Sequence, residues 1–337
     1  AKDRLGHWTG YGYDNLEHLT SITNALTNIT TLTWCDCGSL SSITGPLTNT
    51  TVFSYNNQGL LTNKLFADSS SVTYTLDAIG RVTQVADDLS RALTFGYNNQ
   101  GLLTTVSNAS GLLSGTVYDA VDRPIKVTDA NHITVTNQFD LLNRLTARFW
   151  PDGIGEGFGW STNGLIAYTN RDQKVTRFTR DGAGRLTALT NANQEVTQLG
   201  YNSLGGVTNL TDGRTNHTLW NYNQYGWLMS KTNTLGQAVV VYTRDPNGQI
   251  TNRWTPQFGN TRYGRDALGN ILTISYPQST NRYTYDALNR LKTMVDDSGT
   301  NTFSYTAAGQ LQSADGPWSS DTVTFGYSQQ LRQSLTL

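Results

Sequence analysis

The sequence predicts an all-β fold, an array of about sixteen β-hairpin units that share one continuous sheet. Three observations predict it. A degenerate pattern, Tyr-Asp-x-x-Gly-x-Leu-Thr, returns about every 21 residues from one end of the chain to the other. Each period holds two turn signals, separated by stretches in which apolar and polar residues alternate as they do along a half-buried strand. Apolar stripes at helical spacing are not evident, and the plentiful Thr, Asn and Gly disfavour helix throughout.

The motif begins at Tyr13, Trp34, Tyr55, Leu76, Tyr97, Tyr118, Phe139, Trp160, Arg180, Tyr201, Tyr222, Arg244, Arg265, Tyr285, Tyr305 and Tyr327. Each of these residues ends a first strand. The residue two places earlier is aromatic in most copies, as at Phe53, Tyr74, Phe95, Phe178, Trp220 and Tyr283, so both rings lie on one face of that strand. A turn follows. Its opening Asp or Asn, as at Asp77, Asn98, Asp140 and Asp286, can accept backbone N–H bonds from residues further round the turn. Four places after the motif start stands Gly, as at Gly80, Gly101 and Gly269, or Asn at Asn143 and Asn289, residues that tolerate positive φ. The second strand then opens with an apolar residue such as Val82, Leu103, Leu186, Val207 or Ile271, placed to cover the rings from the same side. A second turn, in phrases such as Asp129-Ala130-Asn131 and Asp297-Ser298-Gly299, closes the unit, giving two strands per repeat. About thirty-two strands at ~4.8 Å make a ribbon on the order of 150 Å long, which twist forces to coil or to break into separate sheets.

Length alone would suggest two or three domains, but an array buries one core shared between neighbours, so residues 1–337 are expected to form a single domain. The repeats are in phase at both ends, and the chain reads as a segment of a longer protein. Charged residues are 15% of the chain and the net charge is −1, which implies no basic face for nucleic acid. No apolar run is long enough to span a bilayer, and the opening AKDRLGHWTG lacks a secretory signal.

Phrases such as YDALNRLKTM from Tyr285, RDALGNILTI from Arg265, LDAIGRVTQV from Leu76 and YDAVDRPIKV from Tyr118 resemble the YD repeats of the RHS family. That family includes polymorphic toxins, toxin-complex C subunits, wall-associated proteins and teneurins. The resemblance covers essentially the whole chain. It implies a sheet spiralling into a hollow RHS-type shell, which in several members encloses a toxic polypeptide, and an extracellular or cell-surface location. The expected partners are the remainder of the chain's own shell or symmetry-related copies, an enclosed toxin-like polypeptide, and possible surface glycans. The Asp-Pro-x-Gly core segment that ends such shells is not visible after Tyr327, and Asp245-Pro246-Asn247-Gly248 reads as an ordinary turn.

No catalytic, cofactor-binding or metal-binding residue is nominated, no cofactor is expected, and no ligand-binding residue is assigned. His7, His18, His132 and His217 share no repeat position and read as surface or packing residues. Cys35 and Cys37 are two ligands short of a structural zinc site; they read as two thiols in a turn, with a disulfide or a metal shared with another chain as the other readings. The sequons at Asn28, Asn49, Asn108, Asn209 and Asn216 are expected by chance in a chain so rich in Asn and Thr. Arg180, Arg244 and Arg265, which replace the motif aromatic, read either as cation–π partners or as residues facing water. Trp150, Trp160, Trp220, Trp227 and Trp254 are glycan candidates, with packing the plainer role.

These readings favour a non-enzymatic shell segment that encloses, carries or displays another polypeptide. The alternative is a cell-surface adhesion module for glycans or proteins. An enzyme, or an eight-bladed propeller of paired repeats, is the weaker reading, because odd and even copies look alike.

Overall fold

The computed structural model describes residues 1–328 and 330–337. Among the described residues there are 32 strands and no helix, with two strands to each repeat as the turn signals predict. The chain divides into two compact units, one made of Ala1–Ala92 with Tyr242–Leu337 and the other of Leu93–Val241.

In the unit Leu93–Val241 each strand pairs antiparallel with the next. Within a repeat, Val196–Tyr201 pairs with Val207–Thr211; between repeats, Leu186–Thr190 pairs with Val196–Tyr201 through Ala188↔Gln198 and Thr190↔Val196. Ladders between repeats thus continue those within them, whereas a propeller would interrupt the pairing every four strands. That reading is corrected.

The within-repeat ladder carries a bulge at the motif: Gly200 faces Asn209, while Tyr201 faces Val207, leaving Thr208 as the extra residue. The same irregularity recurs before Arg180 and Tyr222. It explains the motif's closing Thr. Where the ladder skips this residue, its hydroxyl donates to the carbonyl across the bulge, as Thr187 does to Thr179 at 3.2 Å and Thr104 does to Gly96 at 3.1 Å.

The unit that joins both chain ends is built from the same hairpins: Thr284 pairs with Thr293, and Tyr285 faces Leu291 beyond the bulge. It adds contacts between turns far apart in sequence. Mid-repeat turns of residues 1–92 meet motif turns of residues 242–337. Asn247 accepts the Arg4 N–H at 3.1 Å and donates to Asp3 at 2.9 Å. Gln330 donates to Ser70 Oγ at 2.9 Å, and Leu288 sits so close to Gly45 that a Cβ there would lie 3.0 Å from it. Gly10–Tyr13 and Leu331–Thr336 each have their sequence neighbour as ladder partner, and among the described residues no ladder joins them to each other.

The two faces of the sheet differ. Motif aromatics and the residues two before them lie on one face, with Met294 opposite Tyr283 and Val85 opposite Tyr74. The other face carries hydroxyl pairs such as Thr33–Ser42, Thr284–Thr293 and Ser304–Ser313, each at 2.6 Å. Burial follows this alternation in strands such as Ile29–Trp34 and His217–Tyr222. The rings on this face are half-buried, Tyr11 and Tyr13 are exposed, and Val240 at 8% is the one buried apolar residue among those described. Motif rings are covered in part by cationic side chains, as Phe139 is by Arg123 and Tyr305 by Arg290.

Candidate functional site: the clamp between repeats

The recurring residues of the motif have structural tasks, and together they tie each repeat to the next. Asp opens the turn. Asp181 Oδ1 accepts the N–H groups of Ala183 at 3.0 Å and Arg185 at 2.9 Å, while Gly184 closes the turn at φ 80°. The motif glycines and both substituting asparagines, Asn143 and Asn289, have positive φ, as expected.

The motif Tyr reaches back to the preceding repeat. Tyr201 OH donates to Leu186 O at 2.6 Å and Tyr222 OH to Val207 O at 2.8 Å, so the phenol bonds the carbonyl at the neighbour's bulge. Tyr55, Tyr118, Tyr285, Tyr305 and Tyr327 make the equivalent bond. Three of the replacement residues keep the donor: Trp34 and Trp160 use Nε1 at 2.9 and 2.7 Å, and Arg180 uses Nε at 3.0 Å. Neither reading of the arginines was complete. Arg180, Arg244 and Arg265 donate to the carbonyls of their own turn glycines, Gly184, Gly248 and Gly269, and Arg244 also stacks on Tyr242 at 5.7 Å.

A second arginine series escaped the sequence reading. Four residues after the turn Asp stand Arg81, Arg123, Arg144, Arg185 and Arg290, each paired with that carboxylate at 2.7 Å. Guanidinium groups of this series also lie over the aromatic that begins the next motif, as Arg123 does over Phe139, Arg144 over Trp160, Arg185 over Tyr201 and Arg290 over Tyr305, at 4.4–5.6 Å. Arg123 and Arg144 further donate to Asp140 O and Ser161 O in the next turn, both at 2.9 Å. The signal was present in the quoted phrases as an Arg at a fixed offset from Asp.

The turn lowers the carboxyl pKa values. At Asp77 and Asp140 the backbone N–H of Arg81 or Arg144 is the main cause, with partial desolvation opposing it and the guanidinium adding to it; at Asp181 the Arg185 side chain comes first. These shifts belong to turn closure, and the groups lie in separate repeats.

The remaining candidates do not converge on one place. His18 takes the arginine's position, bonding Asp14 at 3.0 Å and stacking on Trp34 with ring centroids 4.8 Å apart. His7 bonds Asp3, His217 bonds Thr211, and His132 is the positive-φ residue of a mid-repeat turn. Trp150 lies under Arg171, Trp220 under Lys231 and Trp160 under Arg144, while Trp227 packs on Tyr225 and Trp254 is half-buried. Of the sequon residues, Asn28, Asn49 and Asn209 are half-buried and Asn108 and Asn216 exposed. Asp245–Gly248 is a turn, as expected, with Gly248 at φ 86°. Among the described residues no group of three or more His, Cys, Asp or Glu is placed to hold a metal. No helix among them is long and apolar enough to cross a membrane.

One reading is corrected. Cys35 and Cys37 are joined as a disulfide within the turn, with Cα atoms 5.1 Å apart, and are not the two free thiols in a turn that the sequence favours. Turn curvature brings the sulfurs together where an extended strand would not.

The array matches known proteins at two levels. Residues 162–332 match the Teneurin YD-shell family model, and residues 77–113 match the RHS Repeat model. No curated protein matches in sequence. Among solved structures, the crystal structure of TcdB2-TccC3 is 16% identical, with a TM-score of 0.80 over 97% of this chain and 22% of that one. TcdB2-TccC3-Cdc42 gives the same identity and TM-score over 21% of its chain. The Photorhabdus luminescens Tc holotoxin pore gives 15% identity and a TM-score of 0.66 over 95% of this chain and 22% of that one. The chain thus spans about a fifth of the length of these structures and shares the fold of that part. With a family model matched over half its length and the clamp repeated in copy after copy, this chain belongs to the RHS/YD-repeat family, as an array of the Teneurin YD-shell type.

Proposed function

We propose that this chain is a non-enzymatic wall segment of a large secreted or surface RHS-type protein that encloses, carries or displays another polypeptide, of the polymorphic-toxin or delivery kind. The observation that supports it is the repetition of a single device. The Tyr-to-carbonyl bond recurs at Tyr55, Tyr118, Tyr201, Tyr222, Tyr285, Tyr305 and Tyr327, so motif residues serve to hold neighbouring repeats. An active site calls for one exceptional place. Likeness in fold to the TcdB2-TccC3 structures adds weight to a shell. On this reading the partners are further YD repeats of the same shell or symmetry-related copies, together with an enclosed toxin-like polypeptide, and the location is extracellular or at the cell surface. Residues 1–337 act as one array, so calorimetry should give one unfolding transition; two resolved transitions would make the two units independent domains.

The test is protease protection of the protein purified as it is naturally expressed. A shell shields a passenger polypeptide that becomes digestible once the YD array is unfolded. If no polypeptide is protected and the array binds immobilised glycans, the adhesion reading replaces this one.

A further inference from the structure

The disulfide turn is built on a site that elsewhere in the array holds negative charge. In the Asp77 turn, Oδ1 accepts N–H bonds from Ile79 at 3.1 Å and Arg81 at 2.9 Å, and Asp181 accepts the corresponding pair. Backbone N–H groups converging in this way form a small anion site. Ionisation of both carboxyls is favoured there, first by the Arg81 N–H at Asp77 and by the Arg185 side chain at Asp181.

Cys35 occupies the same position in its own turn. The backbone closure is unchanged: Cys35 N–H donates to Ser39 O and Gly38 N–H to Cys35 O, both at 2.9 Å. The N–H of Ser39, which in the Asp copies would meet the carboxylate, donates to Cys35 Sγ at 3.3 Å. Cys37 stands two residues on, at the tip. Cys35 is half-buried and Cys37 exposed, as are its neighbours Asp36 and Gly38. The two sulfurs of this bond are therefore unequal: one is open to approach, and the other lies against a donor suited to a thiolate.

We propose that the Cys35–Cys37 turn is a thiol–disulfide exchange site for external thiols, in which the incoming thiolate attacks Cys37 Sγ and Cys35 leaves as a thiolate held by the turn's backbone N–H. The attacking sulfur forms a new bond to Cys37 Sγ as the Cys35–Cys37 bond breaks, and the electron pair of that bond goes to Cys35. A second external thiolate then attacks the external sulfur of the mixed disulfide and expels the Cys37 thiolate. Two thiols are oxidised to a disulfide, the protein disulfide is reduced to two cysteines, and the protons of the two thiols balance those taken up by the cysteines. With a partner dithiol the same sequence leaves a disulfide in the partner, and the reverse sequence reduces one. Exchange of this kind goes faster when the leaving thiolate is the better stabilised one, which sets the direction of attack.

The test is a mapping of the mixed disulfide. The oxidised protein is treated with limiting glutathione, quenched in acid, alkylated and digested. Glutathione is expected on Cys37 with the alkyl label on Cys35, in about tenfold excess over the opposite pattern. The same protein unfolded in denaturant should lose the preference. Moving the pair to the next motif turn, as Asn56→Cys and Gln58→Cys in a chain carrying Cys35→Ser and Cys37→Ser, should reproduce it with glutathione on the cysteine at 58. Should that variant fail to fold, the map of the native chain decides alone. An even split, glutathione on Cys35, a preference that survives unfolding, or no adduct under conditions that reduce the unfolded chain would each overturn the proposal.

Discussion

The two kinds of turn, at the motif and at mid-repeat, close the backbone in the same way with different residues. At the motif, Asp77 N–H bonds Arg81 O and Gly80 N–H bonds Asp77 O; at mid-repeat, Asn24 N–H bonds Asn28 O and Thr27 N–H bonds Asn24 O. Both turns have an Asp or Asn whose Oδ1 collects N–H bonds from two and four residues on. They differ at the positive-φ residue. Motif turns mostly place Gly there, whereas many mid-repeat turns place a residue with a side chain, at Thr27, Thr48, Ser69, Ser90, His132, Gln173, Gln194 and Thr215, with φ between 60° and 67°; others, at Gly6, Gly153 and Gly236, use Gly. A side chain at such φ costs about 1–2 kcal/mol, and for a β-branched Thr the conformation is uncommon. The motif edge also holds the Tyr latch and the Arg clamp, so the carefully built edge is the one that joins repeats. Turn geometry alone does not require glycine, and the mid-repeat turns show how much local cost the array tolerates.

Acid should expose the largest difference, because it acts on many turns together. Six motif-turn aspartates, Asp14, Asp77, Asp119, Asp140, Asp181 and Asp286, have lowered pKa values, against four at mid-repeat, Asp3, Asp87, Asp212 and Asp296. A carboxyl with a folded pKa below its unfolded value stabilises the fold above the unfolded value, and this contribution fades as pH falls through the folded one. For Asp3 that window runs from the ordinary value of 3.8 down to about 2. Replacing the six motif aspartates with Asn, the residue already present at Asn56, Asn98 and Asn202, should flatten the acid limb of stability more than the same change at the four mid-repeat sites. Denaturant midpoints measured from pH 7 to pH 2 would show it, and equal flattening would remove the distinction.

Single substitutions sharpen the contrast. Gly205 has φ 84° and nothing within 4 Å of an added Cβ, so Gly205→Val isolates backbone conformation from crowding. It should cost about 1–2 kcal/mol in chemical denaturation, with no change in secondary structure. Tyr201→Phe removes only the latch to Leu186 and should cost about 1 kcal/mol, an effect with no counterpart at mid-repeat turns. Thr27→Gly should stabilise, by roughly a few tenths of a kcal/mol, as relief at φ 66° is partly offset by the greater freedom of glycine in the unfolded chain. A loss of stability in that variant would mean that Thr27 is held there by contacts rather than tolerated.

Much of this pattern was legible in the sequence. The spacing from Tyr285 to Asp286 and Asn289 specified strand end, turn acceptor and positive-φ residue in advance, and the pairing of Tyr285 with Leu291 follows from it. The Arg290 clamp was equally regular but went unread, since an Arg four residues after Asp has meaning only once the next repeat's Tyr305 is known to lie beneath it. Positive φ at Thr27 or His132 could not be read, because those residue types do not announce that conformation.

Residue type and period by themselves determined the all-β class, the two strands per unit and the motif turns, because hydrogen-bonding capacity, φ tolerance and alternation act over a few residues. Tertiary structure alone decided the contacts between Asn247 and Asp3, Gln330 and Ser70, and Leu288 and Gly45. It also decided how much of each ring is covered. Contacts between residues more than 200 positions apart depend on the small twist and bend added at every strand, and an angle accumulated over many repeats is not encoded in any one of them.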